Sequence, residues 1–325
     1  MAFLREIRSG YWALLESYRD GAGKPRQRSL KTWAQGPRPT QEQVALVTSC
    51  KVRPIVSYTG SKWQLAEREG GIADLLLSVE WKRYLEPFCG SAGVWGALWN
   101  RGAFQGGRDA RLNDASGDLV TLYRVARRPG LRRALVDALE AWEFSQADLA
   151  LAVAVPENDE VTRAAKLLVR QWQSRSPEKE GSAPGSGYAP GESRKRVWEG
   201  LPDRLETFGK ALRASADIYQ VSAFRWLRSQ ARSAGGDCAI YADPPYIERE
   251  ALYESGAGWD EATHKKLAAI LADIPAKAVA VSYYPHPLVE RLYPRESWVW
   301  HEFEVRASAR GNGHHRRTEL VLLRR

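Results

Sequence analysis

The residues best able to do chemistry lie in Ile240-Tyr241-Ala242-Asp243-Pro244-Pro245-Tyr246. An apolar run delivers an aspartate and then meets two prolines, which can neither donate to a strand ladder nor continue a helix, so the segment reads as a strand stopped at its carboxyl end. Because Pro244 and Pro245 lack N–H groups, the carbonyls of Asp243 and Pro244 can face a ligand, with the ring of Tyr246 beside them. Two acceptors and a flat ring suit an amino group on a planar base. The same tetrapeptide also occurs as a plain strand exit, so its weight depends on the elements around it.

Those elements alternate. A short strand over 83–88 runs into Cys89-Gly90-Ser91-Ala92-Gly93, and small and aromatic residues at helical spacing follow, which is the strand, Gly-rich turn and helix of a nucleotide-binding α/β unit. A second strand ends at Leu112-Asn113-Asp114, ahead of a helix over 119–127. Helices fill 131–173, and 174–194 has the Ser, Gly and Pro content of a flexible loop. Further on come a helix (201–215), a strand (218–221), a helix (223–231), the Asp243 strand, a helix (259–271) and a strand (278–283). Two strands around a basic loop, over 298–305 and 319–323, predict an antiparallel hairpin on the sheet edge. Near the start, alternating segments on either side of Gly21-Ala22-Gly23-Lys24 predict a β-hairpin bearing Arg26, Arg28 and Lys31, and Pro37 and Pro39 break the chain after it. This hairpin resembles the small basic hairpin near the start of some transposases.

The 325 residues, 44% hydrophobic and 27% charged, are those of a globular chain with room for two domains or one elaborated α/β unit. The longest apolar runs, 72–77 and 277–284, are too short to span a bilayer, and the first residues lack a signal-peptide stretch, so the expectation is a cytoplasmic protein with no membrane partner. Cys50, Cys89 and Cys238 have neither metal-ligand nor redox spacing, so no metal site is expected. The net charge of +9 is uneven. Residues 1–62 hold eleven Lys/Arg against four acids, and 305–325 hold six against one, which points to a polyanionic partner, nucleic acid before lipid. Gly60-Ser61-Lys62 and Gly21-Ala22-Gly23-Lys24 lack the full spacing of a phosphate-binding loop, which excludes that form of nucleotide hydrolysis.

In order along the chain, Tyr58-Thr59-Gly60-Ser61-Lys62, Glu86-Pro87-Phe88-Cys89-Gly90, Leu112-Asn113-Asp114 with Asp118-Leu119, and Asp243-Pro244-Pro245-Tyr246 resemble the signatures of the Dam-type DNA adenine methyltransferases, including phage and prophage members. The resemblance runs from about residue 54 to the C-terminus, where Val281-Ser282 and Thr318-Glu319-Leu320 also fit. It implies a Rossmann-like methyltransferase sheet with an inserted helical target-recognition domain, behind the N-terminal β-hairpin extension. The boundaries would be 1–50 for the basic extension, 51–123 and 238–325 for the catalytic domain, and 124–237 for the insert.

The resemblance implies S-adenosylmethionine as cofactor, with the loop from Glu86 through Pro87, Phe88 and Gly90 to Gly93 against its methionine part. Asp114 would accept the ribose hydroxyls, and Tyr58, Gly60 and Lys62 would hold the cofactor from the other side. Asp243, also expected at the cofactor, would with the Pro244 carbonyl, shaped by Pro245, accept the amino hydrogens of a flipped adenine stacked on Tyr246. Double-stranded DNA would be the partner, held at phosphates by Arg26, Arg28, Arg310, Arg316 and Arg317. A monomer with a restriction endonuclease as functional partner is the matching organisation. Two departures stand out: Ala92 takes the place of the family's second loop glycine, which asks for φ below zero there, and Ser222 stands where an acidic residue is common. Asp-Pro-Pro-Tyr also serves enzymes that methylate the cytosine amino group or adenine in RNA. A DNA-binding protein with a decayed methyltransferase fold is the reading outside enzymology.

Overall fold

The computed structural model describes residues 2–19, 25–33, 51–57, 60–154, 159–174, 188–189, 191–248, 259–306 and 316–325. The chain divides into two compact units, Met1–Lys51 and Val52–Arg325.

The first unit is a three-stranded antiparallel sheet of β1 (Ala2–Arg8), β2 (Tyr11–Arg19) and β3 (Pro25–Trp33), in that order. Sequence patterning anticipated β2 and β3 but not β1, which pairs with β2 from Ala2↔Glu16 to Arg8↔Tyr11. Gly10, at φ +73°, makes the tight β1–β2 turn possible. Arg26 and Arg28 lie on β3.

The second unit is α/β. Its seven-stranded sheet has the order β6-β5-β4-β7-β8-β10-β9, built from β4 (Arg83–Glu86), β5 (Asp109–Asn113), β6 (Ala216–Tyr219), β7 (Cys238–Ala242), β8 (Ala278–Tyr283), β9 (Val299–Arg306) and β10 (Arg316–Arg324). The first five in that order are parallel to one another. Strand β10 runs antiparallel between β8 and β9, leaving the expected terminal hairpin at the sheet edge. This is the Rossmann-like sheet that the sequence predicted.

Alternate residues of the central strands feed two cores, because successive side chains point to opposite faces. Tyr84, Ala239 and Tyr241 face one core; Leu85, Ile240 and Ala242 face the other. The first is covered by α1 (Trp63–Glu67), α2 (Ile72–Leu76), α3 (Gly93–Asn100), α4 (Gly117–Arg127), α5 (Pro129–Glu140), α6 (Gln146–Ala154), α7 (Glu160–Gln173), α8 (Glu192–Glu199) and α9 (Leu201–Ser215). The second is covered by α10 (Ala223–Ser233), α11 (Glu261–Asp273) and α12 (Pro287–Leu292). The paired glycines Gly70-Gly71 split the apolar stretch over 63–77 into α1 and α2. Helices α5–α9 lie between β5 and β6 in the chain and share their core with α3 and α4, through Trp95, Tyr123 and Phe208. Strand β6 and helix α10 fall within 124–237 but belong to the main sheet and its cover.

Neighbouring strands β4 and β7 send the chain in opposite directions along the sheet, to β5 and to β8. Open α/β sheets have their ligand crevice beyond the strand ends at such a switch. No helix among the described residues is long and apolar enough to cross a membrane.

Candidate active site

Four parallel strands deliver their carboxyl ends to one cavity of about 430 Å³. Glu86 ends β4, Asp114 follows β5, Gln220 to Phe224 follow β6, and Asp243 follows β7, and all of them line it. Of the residues singled out from sequence, Gly60, Lys62, Glu86, Pro87, Phe88, Gly90, Gly93, Asp114, Asp243 and Pro245 are in the wall. Pro244 is buried and is not among the lining residues. Tyr58 and Arg310 lie outside the described residues.

The Gly-rich turn is held from three sides. Gly90 N–H donates to Asp114 Oδ2 at 2.8 Å, Tyr123 donates its hydroxyl proton to the Gly90 carbonyl, and Ser91 Oγ meets Ser61 Oγ at 2.8 Å. Gly90 sits at φ +45° and Ala92 at φ +52°. The expectation of negative φ at Ala92 is therefore corrected: the turn into α3 is left-handed there, a conformation that crowds Cβ against the following carbonyl oxygen. Gly93 answers a different demand. A Cβ on it would lie 2.9 Å from the Trp63 backbone nitrogen, so its missing side chain lets the start of α1 approach α3.

Asp114 does more than the sequence suggested. Besides Gly90, it accepts the Ser116 N–H at 2.9 Å on Oδ1, so each oxygen already carries one backbone proton and retains a lone pair. Burial raises its carboxyl above the usual range, and the N–H groups of Ser116 and Gly90 oppose that shift. Asn113 fastens the loops on either side: its amide donates to the Pro87 and Val221 carbonyls and its oxygen accepts from Val221 N–H.

Glu86 is 2% exposed, and its Oε2 has no hydrogen-bond partner. Burial pushes its carboxyl well above the usual carboxylate range, and the charges of Asp243 and Asp114 add to the push. A buried acceptor without a partner, in the wall of a cavity, is the natural receiver of a ligand's donor or positive charge. Phe88, Phe224 and Trp259 form an aromatic part of the wall, with ring centroids 5.7 Å (Phe88–Trp259) and 5.9 Å (Phe224–Trp259) apart.

Around Asp243 lies a cluster whose key member, Glu319, fits the family resemblance by sequence but had no role assigned to it. Lys62 Nζ stands 3.0 Å from Asp243 Oδ2 and 3.6 Å from Glu319 Oε1, and donates to the Gly60 carbonyl at 2.6 Å. The Tyr246 hydroxyl reaches Asp243 Oδ1 at 3.0 Å and also Glu319 Oε1. One hydroxyl proton cannot serve two carboxylates. The set is satisfied when Glu319 is protonated and donates to Tyr246, which then donates to Asp243. Burial, with the charge of Asp243, pushes Glu319 up to about 7 against the pull of Lys62. Burial likewise raises Asp243, with Lys62 opposing.

Lys62, expected against the cofactor, lines the cavity, and its ammonium also stands beside Asp243 and Glu319. Tyr246 is 2% exposed, with Lys62 Nζ 5.0 Å from its ring centroid and Tyr284 packed edge-on at 4.5 Å. Its ring thus presents no open face for the expected base stacking, and its hydroxyl instead orients Asp243. The signal for Glu319 was one acid at the start of the apolar run Leu320-Val321-Leu322-Leu323.

Of the residues expected at phosphates, Arg316 is exposed and pairs with Glu304 at 2.6 Å, and Arg317 lies over the Tyr284 ring at 4.6 Å.

No family model matches this chain. No curated protein matches it. Among solved structures, an rRNA methyltransferase from Streptomyces viridochromogenes aligns at 16% identity with a TM-score of 0.32, over 78% of this chain and 83% of that one.

Proposed function

We propose that the protein transfers a methyl group from S-adenosylmethionine to the exocyclic amino group of adenine in double-stranded DNA. The observation that carries this reading is that Asp243 and Pro245 of the Asp-Pro-Pro-Tyr turn line the same cavity as Glu86, whose Oε2 has no hydrogen-bond partner, at the switch point of a Rossmann-like sheet.

The residues present fit the cofactor. Glu86 would take its ammonium, Asp114 the ribose hydroxyls through its remaining lone pairs, and the wall of Phe88, Phe224 and Trp259 its adenine ring. When bound, the cofactor supplies an electrophilic methyl group. The protein's own part begins with the amino group of the target base, which must leave the duplex to be reached. Asp243 accepts one amino hydrogen and the Pro244 carbonyl the other, which raises electron density on the nitrogen and fixes its lone pair toward the cavity. Tyr246 keeps Asp243 aimed by donating to Oδ1, and Lys62 holds Oδ2. The proton lost from the nitrogen passes to the Asp243 carboxylate. Positioning and fixed charges account for most of the barrier reduction.

The test is incubation of the protein with S-adenosylmethionine and duplex DNA, then digestion to nucleosides and mass detection. N6-methyldeoxyadenosine formed by the parent and absent with Asp243→Ala is the expected result. A methylated cytosine, or product only from RNA, would move the acceptor; no methylated nucleoside with either polymer would sink the assignment.

A further inference from the structure

Helix α10 reads Ala-Phe-Arg-Trp-Leu-Arg-Ser-Gln-Ala-Arg-Ser from Ala223. Trp226, Leu227 and Ala231 are buried in the second core, which turns Arg225, Arg228 and Arg232 to solvent. These arginines line a surface groove of about 650 Å³ together with exposed Lys266 of α11, whose Nζ stands 5.1 Å from the Phe224 ring centroid. No carboxylate lines the groove.

On the helices that cover the first core, several arginines are matched with acids. Arg127 pairs with Asp217, Arg128 with Glu160, Arg132 with Glu206, and Arg163 and Arg170 both with Asp118. Among the described residues nothing pairs with Arg225, Arg228 or Arg232. Four cations held together without a counter-charge repel one another, and a polyanion relieves that repulsion. The positions i, i+3 and i+7 extend about 10 Å along the helix, at 1.5 Å per residue. That length spans several phosphates of a duplex, which advance about 3.4 Å per residue of each strand, and the arginine fork matches a phosphate in a bidentate manner. The groove also adjoins the candidate active-site cavity, since Ser222 and Phe224 line both.

We propose that the Arg225, Arg228, Arg232 and Lys266 groove binds the phosphodiester backbone of duplex DNA beside the base held in the cavity. The choice of duplex DNA rests on the methyltransferase reading above; the polyanion itself follows from the groove. Such a site contributes affinity and register without sequence preference.

The test uses the full chain with Arg225, Arg228 and Arg232 all changed to Gln, substitutions at exposed positions that leave the core intact. Affinity for a labelled duplex of about 20 base pairs is measured from about 50 to 200 mM salt, where each lost phosphate contact lowers the slope of log affinity against log salt by about 0.9. A slope reduced by about two to three, with unchanged calorimetric affinity for S-adenosylmethionine, is expected. An unchanged slope, or a parent that does not bind duplex DNA, overturns the proposal. So does a slope reduced only with RNA of the same sequence. Binding is read without turnover, so the two readings fail separately. Groove-dependent DNA binding by a protein that makes no methylated nucleoside removes the enzyme and keeps the groove. Methylation with an unchanged slope does the reverse.

Discussion

At the scale of single residues, the site is a problem of proton counting. Asp243 and Glu319 share one lysine, Glu86 lines the same cavity as Asp243, and desolvation raises all three carboxyls above the ordinary range. For Glu319 the sign is direct. Its proton is held up to about 7 in the fold against an ordinary 4.5, so the folded protein binds more protons than the unfolded chain between those values. Stability is therefore present in full below about 4.5 and is lost as the pH rises toward and through about 7. Glu319→Gln keeps a donor for Tyr246 and removes the titration. Urea unfolding at pH 5, 6, 7 and 8 should show the parent losing stability relative to this variant; parallel curves would refute the buried-proton account. The same variant should keep methyl transfer within about tenfold, the loss of one hydrogen bond at most, while the limb of its pH–rate profile near neutrality disappears. Asp243→Ala should abolish transfer and, because it takes one partner from the buried Lys62 ammonium and one from the Tyr246 hydroxyl, should also lower stability by about 1–3 kcal/mol in urea unfolding. Asp114→Ala is a compound change. It frees the N–H groups of Gly90 and Ser116, so a stability loss of about 1–3 kcal/mol should accompany weaker cofactor binding. Weaker binding with unaltered unfolding would mean that the two backbone contacts matter little.

At the scale of elements, the turn between β4 and α3 carries local cost for the sake of position. Ala92 at φ +52° pays about 1 kcal/mol relative to glycine in the left-handed region. Ala92→Gly should therefore raise the unfolding free energy by up to about 1 kcal/mol, and a loss instead would place Ala92 outside that conformation. Gly93→Ala should act in the opposite direction, costing about 1–3 kcal/mol, because the new methyl meets the Trp63 backbone rather than a movable side chain. The terminal hairpin has a positional role as well. Strand β10 pairs with β8 through Leu320↔Tyr283, and its antiparallel course sets its first residues beside the carboxyl end of β8. Glu319 reaches the parallel strand ends only by that reversal.

At the scale of the whole molecule, charge at the chain ends is less decisive than its pairing. Arg316 already has Glu304, an exposed pair that costs little to break, and Arg317 covers the ring that packs edge-on against Tyr246. Changing both to Ala should lower the salt slope of DNA binding by less than the α10 triple variant does; a larger effect would return the main phosphate contact to the C-terminal strand. The strand–turn–helix order was legible from sequence, because strand ends, glycine turns and helical spacing are written in neighbouring residues. Glu86, Asp114 and Asp243 could therefore be assigned to strand ends, and strand ends are where an open sheet binds. The first strand, β1, escaped because a strand without strict alternation shows itself only through its partner. What only the tertiary structure decided depends on distant pairs. Tyr246 and Glu319 are 73 residues apart, and their meeting follows from sheet order and from the antiparallel return of β10. The covered face of Tyr246, the meeting of Lys62 with the two carboxyls and the unmatched arginines of α10 follow from packing between elements, which no local pattern of residues encodes.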